Sequence, residues 1–260
     1  MRLPIYQVDA FADRPFAGNP AAVCPLDAWL PDETMQAIAV ENNLSETAFF
    51  VANGEDFDIR WFTPKMEIDL AGHPTLATAY AIFTELEPGR SAVRFNTKRG
   101  DVLSVVEQGG VLTMDFPARA PAPTEGIEEI TAALGARPAS FLAARDGFCV
   151  FENEAEIRAI EPDMTKLMAF KYLGVIVTAP GDEVDFVSRF FAPNHGIPED
   201  PVTGSAHCEL IPYWAERLGK TELVARQLSA RGGEIYCSHL GERVKIGGKA
   251  VTFMRGEIEF

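Results

Sequence analysis

The sequence predicts an α+β protein of two homologous halves, each a mostly antiparallel, barrel-like sheet around a central helix, with a cleft between them. Three observations predict it. One motif occurs twice along the chain. Short apolar runs with strand-like alternation occupy most of both copies. Between them, the segment TLATAYAIF (75–83) is small and apolar on nearly every face, the pattern of a helix buried all round.

The repeat has three parts. FDIRWFTP (57–64) resembles FVSRFFAP (186–193), each a strand-like run with an arginine that ends in Phe-x-Pro. AGHPTLATAYAIFTEL (71–86) matches TGSAHCELIPYWAERL (203–218), where a glycine and a short polar residue or histidine lead into helical periodicity. KRGDVLSV (98–105) matches ARGGEIYC (230–237), and 27 positions separate Gly72 from Arg99 and Gly204 from Arg231 alike. Three matched segments in one order predict a duplicated strand, loop, helix and strand-pair unit.

Strands are expected at 4–11, 19–25, 47–52, 57–63, 92–97, 101–107 and 111–116. In the second half they are expected at 143–152, 172–179, 185–191, 223–228, 233–239, 242–247 and 250–259. Helices are expected at 31–42, opened by a proline and acids, and at 73–86, 126–135, 154–159 and 204–218. The stretch PARAPAPTEG (117–126) reads as the linker, which gives halves of 1–118 and 119–260, the first open to completion by the C-terminal strand. Loops 64–73 and 193–205 leave equivalent places and are expected to face the cleft.

Composition narrows the function. The net charge of −15 with no offsetting Lys/Arg cluster argues against nucleic acid and anionic membranes. No apolar run reaches the ~18 residues of a membrane helix. The N-terminus enters a strand pattern without a signal-peptide pattern, so a cytoplasmic location is expected. Four scattered cysteines form no CxxC pair, and with four scattered histidines they give no zinc pattern. No GxGxxG follows a strand, so dinucleotide redox chemistry has no fingerprint.

The chemistry-bearing residues cluster at the repeat. Gly72-His73 and Gly204-Ser205 stand where a loop becomes a helix, where unpaired N–H groups and the positive dipole end favour an anion. The bland alternative is tight turns and caps. Asp200, four residues before Gly204, and Asp69, three before Gly72, are turn residues or ligand contacts. His73 is a structural histidine, a donor to substrate or a proton carrier. Glu46, in NLSETAFFV (43–51), has no acidic counterpart, because aligning FVANG (50–54) with VTAPG (177–181) sets YLGV (172–175) opposite SETA (45–48). It is a solvated strand-end charge or, if buried, a proton-transfer group whose pKa rises toward neutrality.

Four segments together carry a family resemblance: VDAFADRPFAGNPAAV (8–23), NNLSETAFF (42–50), DLAGHPTLATA (69–79) and EDPVTGSAHCELIPYW (199–214). They resemble the PhzF-like family of phenazine-biosynthesis-type isomerases, which share the diaminopimelate-epimerase-like fold. The resemblance implies paired barrels with the active site between them. It makes Glu46 the proton shuttle, His73 and Asp200 substrate-contacting catalytic partners, and the backbone around Gly72, His73, Gly204 and Ser205 the holder of a carboxylate. Asn19 is a further candidate substrate contact, and neither metal nor organic cofactor is expected. Related racemases carry a cysteine before each glycine motif. Here Ala71 precedes Gly72 and the second loop carries Asp200-Pro201, which disfavours two-thiol chemistry. The wording HCELIPYW (207–214) is closer to members without an assigned substrate than to the dedicated phenazine enzyme.

The expected function is therefore a cofactor-independent isomerase that moves a proton on a small carboxylate through Glu46. The alternative is a non-catalytic small-carboxylate-binding or adaptor protein on the same scaffold. Strand-rich halves with exposed edges are compatible with a homodimer, which nothing in the sequence specifies.

Overall fold

Alternating apolar residues become strands along most of the chain. The computed structural model describes residues 1–260, the side chain of His195 excepted. The first strands are β1 (Arg2–Ala10), β2 (Asn19–Leu26), β3 (Glu46–Asn53), β4 (Asp56–Phe62), β5 (Glu67–Ile68), β6 (Ala92–Thr97), β7 (Val102–Gln108) and β8 (Val111–Pro117). The next are β9 (Ala122–Pro123), β10 (Ser140–Ala143), β11 (Gly147–Val150), β12 (Val175–Pro180) and β13 (Phe186–Phe191). The last are β14 (Glu222–Gln227), β15 (Gly233–Leu240), β16 (Arg243–Gly248) and β17 (Ala250–Glu259). The helices are α1 (Asp32–Asn42), α2 (Gly72–Ala81), α3 (Ile127–Leu134), α4 (Glu154–Ala159), α5 (Met164–Leu167) and α6 (Gly204–Leu218). The fold is α+β, with parallel and antiparallel pairings mixed in its sheet.

The chain forms two compact units, Met1–Asp115 with Gly247–Phe260, and Phe116–Ile246. Each contains the same ladder. In the first unit β1–β2 is antiparallel, β2–β3 parallel, β3–β4 antiparallel, β4–β6 parallel and β6–β7 antiparallel. In the second, β10–β11, β11–β12, β12–β13, β13–β14 and β14–β15 repeat that alternation of sense. β17 pairs antiparallel with β1 in the first unit.

The central helices differ in how they are covered. α2 buries eight of its ten residues and packs on β1, β2, β3 and β17. α6 packs on β14 and β15, and its Trp214 stacks on Phe186 at 5.7 Å while its Nε1–H donates to Thr178 Oγ1. The first unit has a cluster around Met35, Phe49 and Phe62 under α1, and the second has one around Ile130, Phe151 and Phe191.

Three sequence expectations are corrected and one helix is new. The expected strand 143–152 is a hairpin of β10 and β11, because Arg145-Asp146 turns the chain and the buried Asp146 Oδ1 accepts from Gly174 N–H. The helix expected over 73–86 is α-helical to Ala81 and then loosens into a π turn, Ile82–Leu86, closed by Glu87 N–H to the Ile82 carbonyl. The linker 117–126 contains β9, which pairs with β10. α5 was not anticipated; Asp163 caps it by accepting from Thr165 and Lys166 N–H.

Strand register also refines the asymmetry at Glu46. Thr47 pairs with Phe62, and Val175 pairs with Phe191, so the position before each sets Gly174, not Leu173, opposite Glu46. A Cβ on Gly174 would lie 2.2 Å from the Phe190 ring. The tip of the Phe190 ring fills the place of a side chain there, so a carboxylate at position 174 would require the ring to move.

Candidate active site

Duplicated arginines hold the loops that lead into the two glycine helices. Arg60 on β4 makes a bidentate pair with Glu67, with Nε and Nη2 at 2.7 and 2.8 Å from the carboxylate oxygens. Arg189 on β13 makes the same pair with Glu199, at 2.7 and 3.0 Å. Arg189 also donates to the Ile157 and Ile160 carbonyls at the end of α4. Planar fork-to-carboxylate geometry fixes direction as well as distance, so each loop reaches its helix along a set path. Asp69, farther along the first loop, is exposed and paired with Arg99.

In the first unit, Glu46 opens β3, where it pairs with Ala21 of β2. Its side chain is 11% exposed, and Oε2 lies 3.1 Å from His73 Nε2. His73 is the second residue of α2, and its ring donates to the Pro20 carbonyl on β2. Burial pushes the imidazole down to about 3, and the Pro20 contact opposes that shift only in part. The 3.1 Å approach resembles an ion pair, yet a buried imidazole that resists a proton is neutral at pH 7; the contact is therefore one between a carboxyl group and a neutral ring. Asn19 is fully buried at the start of β2 and faces Ala10 across the ladder. The hairpin before it needs Gly18, which has φ +66°, and where a Cβ would strike the Ala10 carbonyl. Asn19, Glu46, Gly72 and His73 thus occupy neighbouring elements of one unit.

Asp200, Gly204 and Ser205 lie in the second unit. Asp200 Oδ2 accepts from Thr203 Oγ1 at 2.5 Å, so Asp200 steadies the turn before α6. Gln227 at the end of β14 is buried and clamps the same turn: Oε1 accepts from Thr203 N–H, and Nε2 donates to the Asp200 carbonyl and Thr203 Oγ1. Ser205 Oγ accepts from Arg145 Nη2 at 2.9 Å. Arg145, Gln227 and Pro20 were missed in the sequence. The two side chains lie outside the repeated motifs, and Pro20 acts only through its backbone. One signal was available: Glu209 is an acid inside the apolar face of α6, four residues after Ser205.

Thiol chemistry has no support here. All four cysteines are buried, and burial pushes the Cys208 thiol up to about 11, so it is no thiolate at neutral pH. Among the described residues, no three His, Cys, Asp or Glu side chains are grouped to hold a metal ion. Among them, too, no helix is long and apolar enough to cross a membrane.

The family model for phenazine biosynthesis-like proteins matches residues 8–256. An uncharacterized isomerase of Pseudomonas aeruginosa is 53% identical over 258 residues, covering 99% of each chain. The crystal structure of a PhzF-family protein from Enterococcus faecalis superposes with a TM-score of 0.97 at 48% identity, covering all of both chains. A predicted epimerase from Pseudomonas aeruginosa shares the fold, with a TM-score of 0.76 at 20% identity over 98% of this chain and 99% of that one. The chain belongs to the PhzC–PhzF family of phenazine biosynthesis-like proteins.

Proposed function

We propose that the protein is an isomerase that moves a proton between two carbons of a small carboxylate, with Glu46 as the single proton-transferring group. The observation that carries this reading is the buried Glu46–His73 contact of 3.1 Å. Relatives named as isomerases support the reaction class.

The chemistry follows from the histidine. Nε2 makes no hydrogen bond to a third group, so the ring nitrogen that donates to Pro20 is assigned as Nδ1. In a neutral ring this leaves Nε2 with its lone pair, 3.1 Å from Glu46 Oε2. A proton on Oε2 is then stabilised, while a bare carboxylate faces a lone pair. Glu46 therefore gives its proton to one carbon of the substrate, and the resulting carboxylate removes a proton from another. The acid form that meets His73 is restored, and no second base is needed. The exclusion of water from Glu46 keeps that proton from escaping during transfer.

Backbone donors at the starts of α2 and α6 hold the substrate's carboxylate and the charge that develops beside it. Asp200, held toward the α6 turn by Thr203, contacts the substrate in the same proposal, as does Asn19 in the first unit. No metal or organic cofactor takes part in the steps proposed.

The test is to incubate small cyclic and α-substituted carboxylic acids in D₂O with wild type and Glu46→Gln. Deuterium uptake by at least one acid, dependent on Glu46, is expected. Stoichiometric binding of an acid with no exchange, unchanged in Glu46→Gln, would instead establish a binding protein on this scaffold.

A further inference from the structure

The two glycine-led helix starts are not equivalent. In α2 the first turn reads Gly72-His73-Pro74, and Pro74 has no N–H to offer. The same turn already carries a carboxyl neighbour, Glu46, through His73. In α6 the first turn reads Gly204-Ser205-Ala206-His207, and every residue keeps its N–H. Its neighbour is a guanidinium, Arg145, at 2.9 Å from Ser205 Oγ.

Arg145 is held there by a fixed polar frame. It sits in the turn between β10 and β11. Glu209, fully buried on α6, accepts at Oε1 from the backbone N–H groups of Arg145 and Asp146, both at 3.2 Å. Asp146, also fully buried, lies 3.4 Å from the guanidinium and takes the Gly174 N–H. The helix thus grips the turn through Glu209, and the turn returns Arg145 to the helix one turn earlier, at Ser205. A third of the Arg145 side chain stays open to solvent, so the frame fixes the guanidinium without sealing it.

We infer that Arg145 is a positioning residue that makes the start of α6 the carboxylate-reading end of the protein, while the start of α2 serves proton transfer. The mechanism is a hydrogen-bond polarity. An oxygen that accepts from a guanidinium has its own single proton left to donate, so Arg145 sets Ser205 as a donor toward a bound anion. The cation adds to the field of the helix start. This rests on the reading that the α6 start binds the substrate acid.

Calorimetric titration tests it without turnover. The probes are benzoate, pyruvate and 1-cyclohexenecarboxylate, each against its primary amide, with folding checked by circular dichroism. Wild type is expected to bind at least one acid over its amide. Arg145→Met should lose that preference by roughly tenfold or more. Arg145→Lys should restore part of it through charge alone. Arg145→Met and Ser205→Ala should be non-additive, because the second loses what the first positions. In the D₂O assay, Arg145→Met should raise KM far more than it lowers kcat. An undiminished acid-over-amide preference in folded Arg145→Met, additive double-variant effects, or no acid bound by wild type would overturn the inference. Loss of exchange in Glu46→Gln with binding intact separates the proton-transfer reading from this one.

Discussion

His73 Nε2 stands 3.1 Å from Glu46 Oε2, with the ring's other side on the Pro20 carbonyl. A strand start and a helix start thereby share one contact, and the ring's tautomer decides which form of the carboxyl group it supports. Removing the ring while keeping the volume, in His73→Phe, should leave Glu46 folded into place without its partner. Loss of one such buried partner is worth about 1–3 kcal/mol, roughly five- to 150-fold in rate. The pH–rate profile should shift as well, which simple loss of packing would not cause. An unshifted profile with a wild-type rate would remove His73 from the mechanism.

Two opposed titrations contribute to stability in acid. Burial holds His73 at about 3 and His207 at about 4, whereas in the unfolded chain histidine titrates near ~6.5. The unfolded state binds more protons in that window, so this contribution is lost as pH falls from ~6.5 toward 3. Burial, and then Asp146, raise Glu209 to about 7. That contribution runs the other way: it is present below the unfolded value of ~4.3 and lost as pH rises through 7. The groups facing Glu209 are Asp146, Arg145 and Cys208. Glu209→Gln should therefore gain stability with pH more steeply than wild type between ~4.5 and 6.5, read as urea midpoints. Parallel curves for the two proteins would contradict this.

The two loop clamps should differ in weight. Arg60 and Arg189 are both mostly buried, but Arg189 also satisfies two carbonyls beside α4, and Arg60's additional partner, Asp32, is exposed. Arg189→Ala is expected to cost about 3–5 kcal/mol, the scale of breaking a buried pair, and Arg60→Ala less. Thermal melts of both variants check the order.

Gly174 is the residue that keeps the second unit from carrying a copy of Glu46. Adding a methyl group drives it into the Phe190 ring, so Gly174→Ala should cost about 1–3 kcal/mol. In Gly174→Ala with Phe190→Leu, part of that loss should return. Equal stability of Gly174→Ala and wild type would show that the ring moves aside freely.

Much of the architecture was legible because it repeats. The matched runs at 57–64 and 186–193 became β4 and β13, and the glycine-led segments became α2 and α6. The all-round apolar run at 75–83 lies mostly in α2, the buried helix of the first unit. The hairpin at 140–150 carried a signal that the single-strand expectation passed over: Asp146-Gly147 is a turn pair between apolar runs, and Asp146 takes a backbone N–H from Gly174. Of the candidate site, Glu46 and His73 were singled out separately, but their contact depends on strand register and helix placement. Arg145 and Gln227 act through pairings over sixty and twenty-four positions of separation, to Ser205 and Thr203, which local pattern does not encode.

The central claim is that one carboxyl group, Glu46, both gives and takes the proton. Substrate deuterated at the carbon that loses its hydrogen, turned over in H₂O and sampled in the first turnovers, tests it most directly. A single buried shuttle takes the label onto Glu46 and hands part of it to the receiving carbon of the next substrate, so labelled product appears from the second turnover onward, and Glu46→Gln falls by roughly 10²–10⁴ in rate. A receiving carbon labelled wholly from solvent through every later turnover, with Glu46→Gln running at the wild-type rate, would contradict the account.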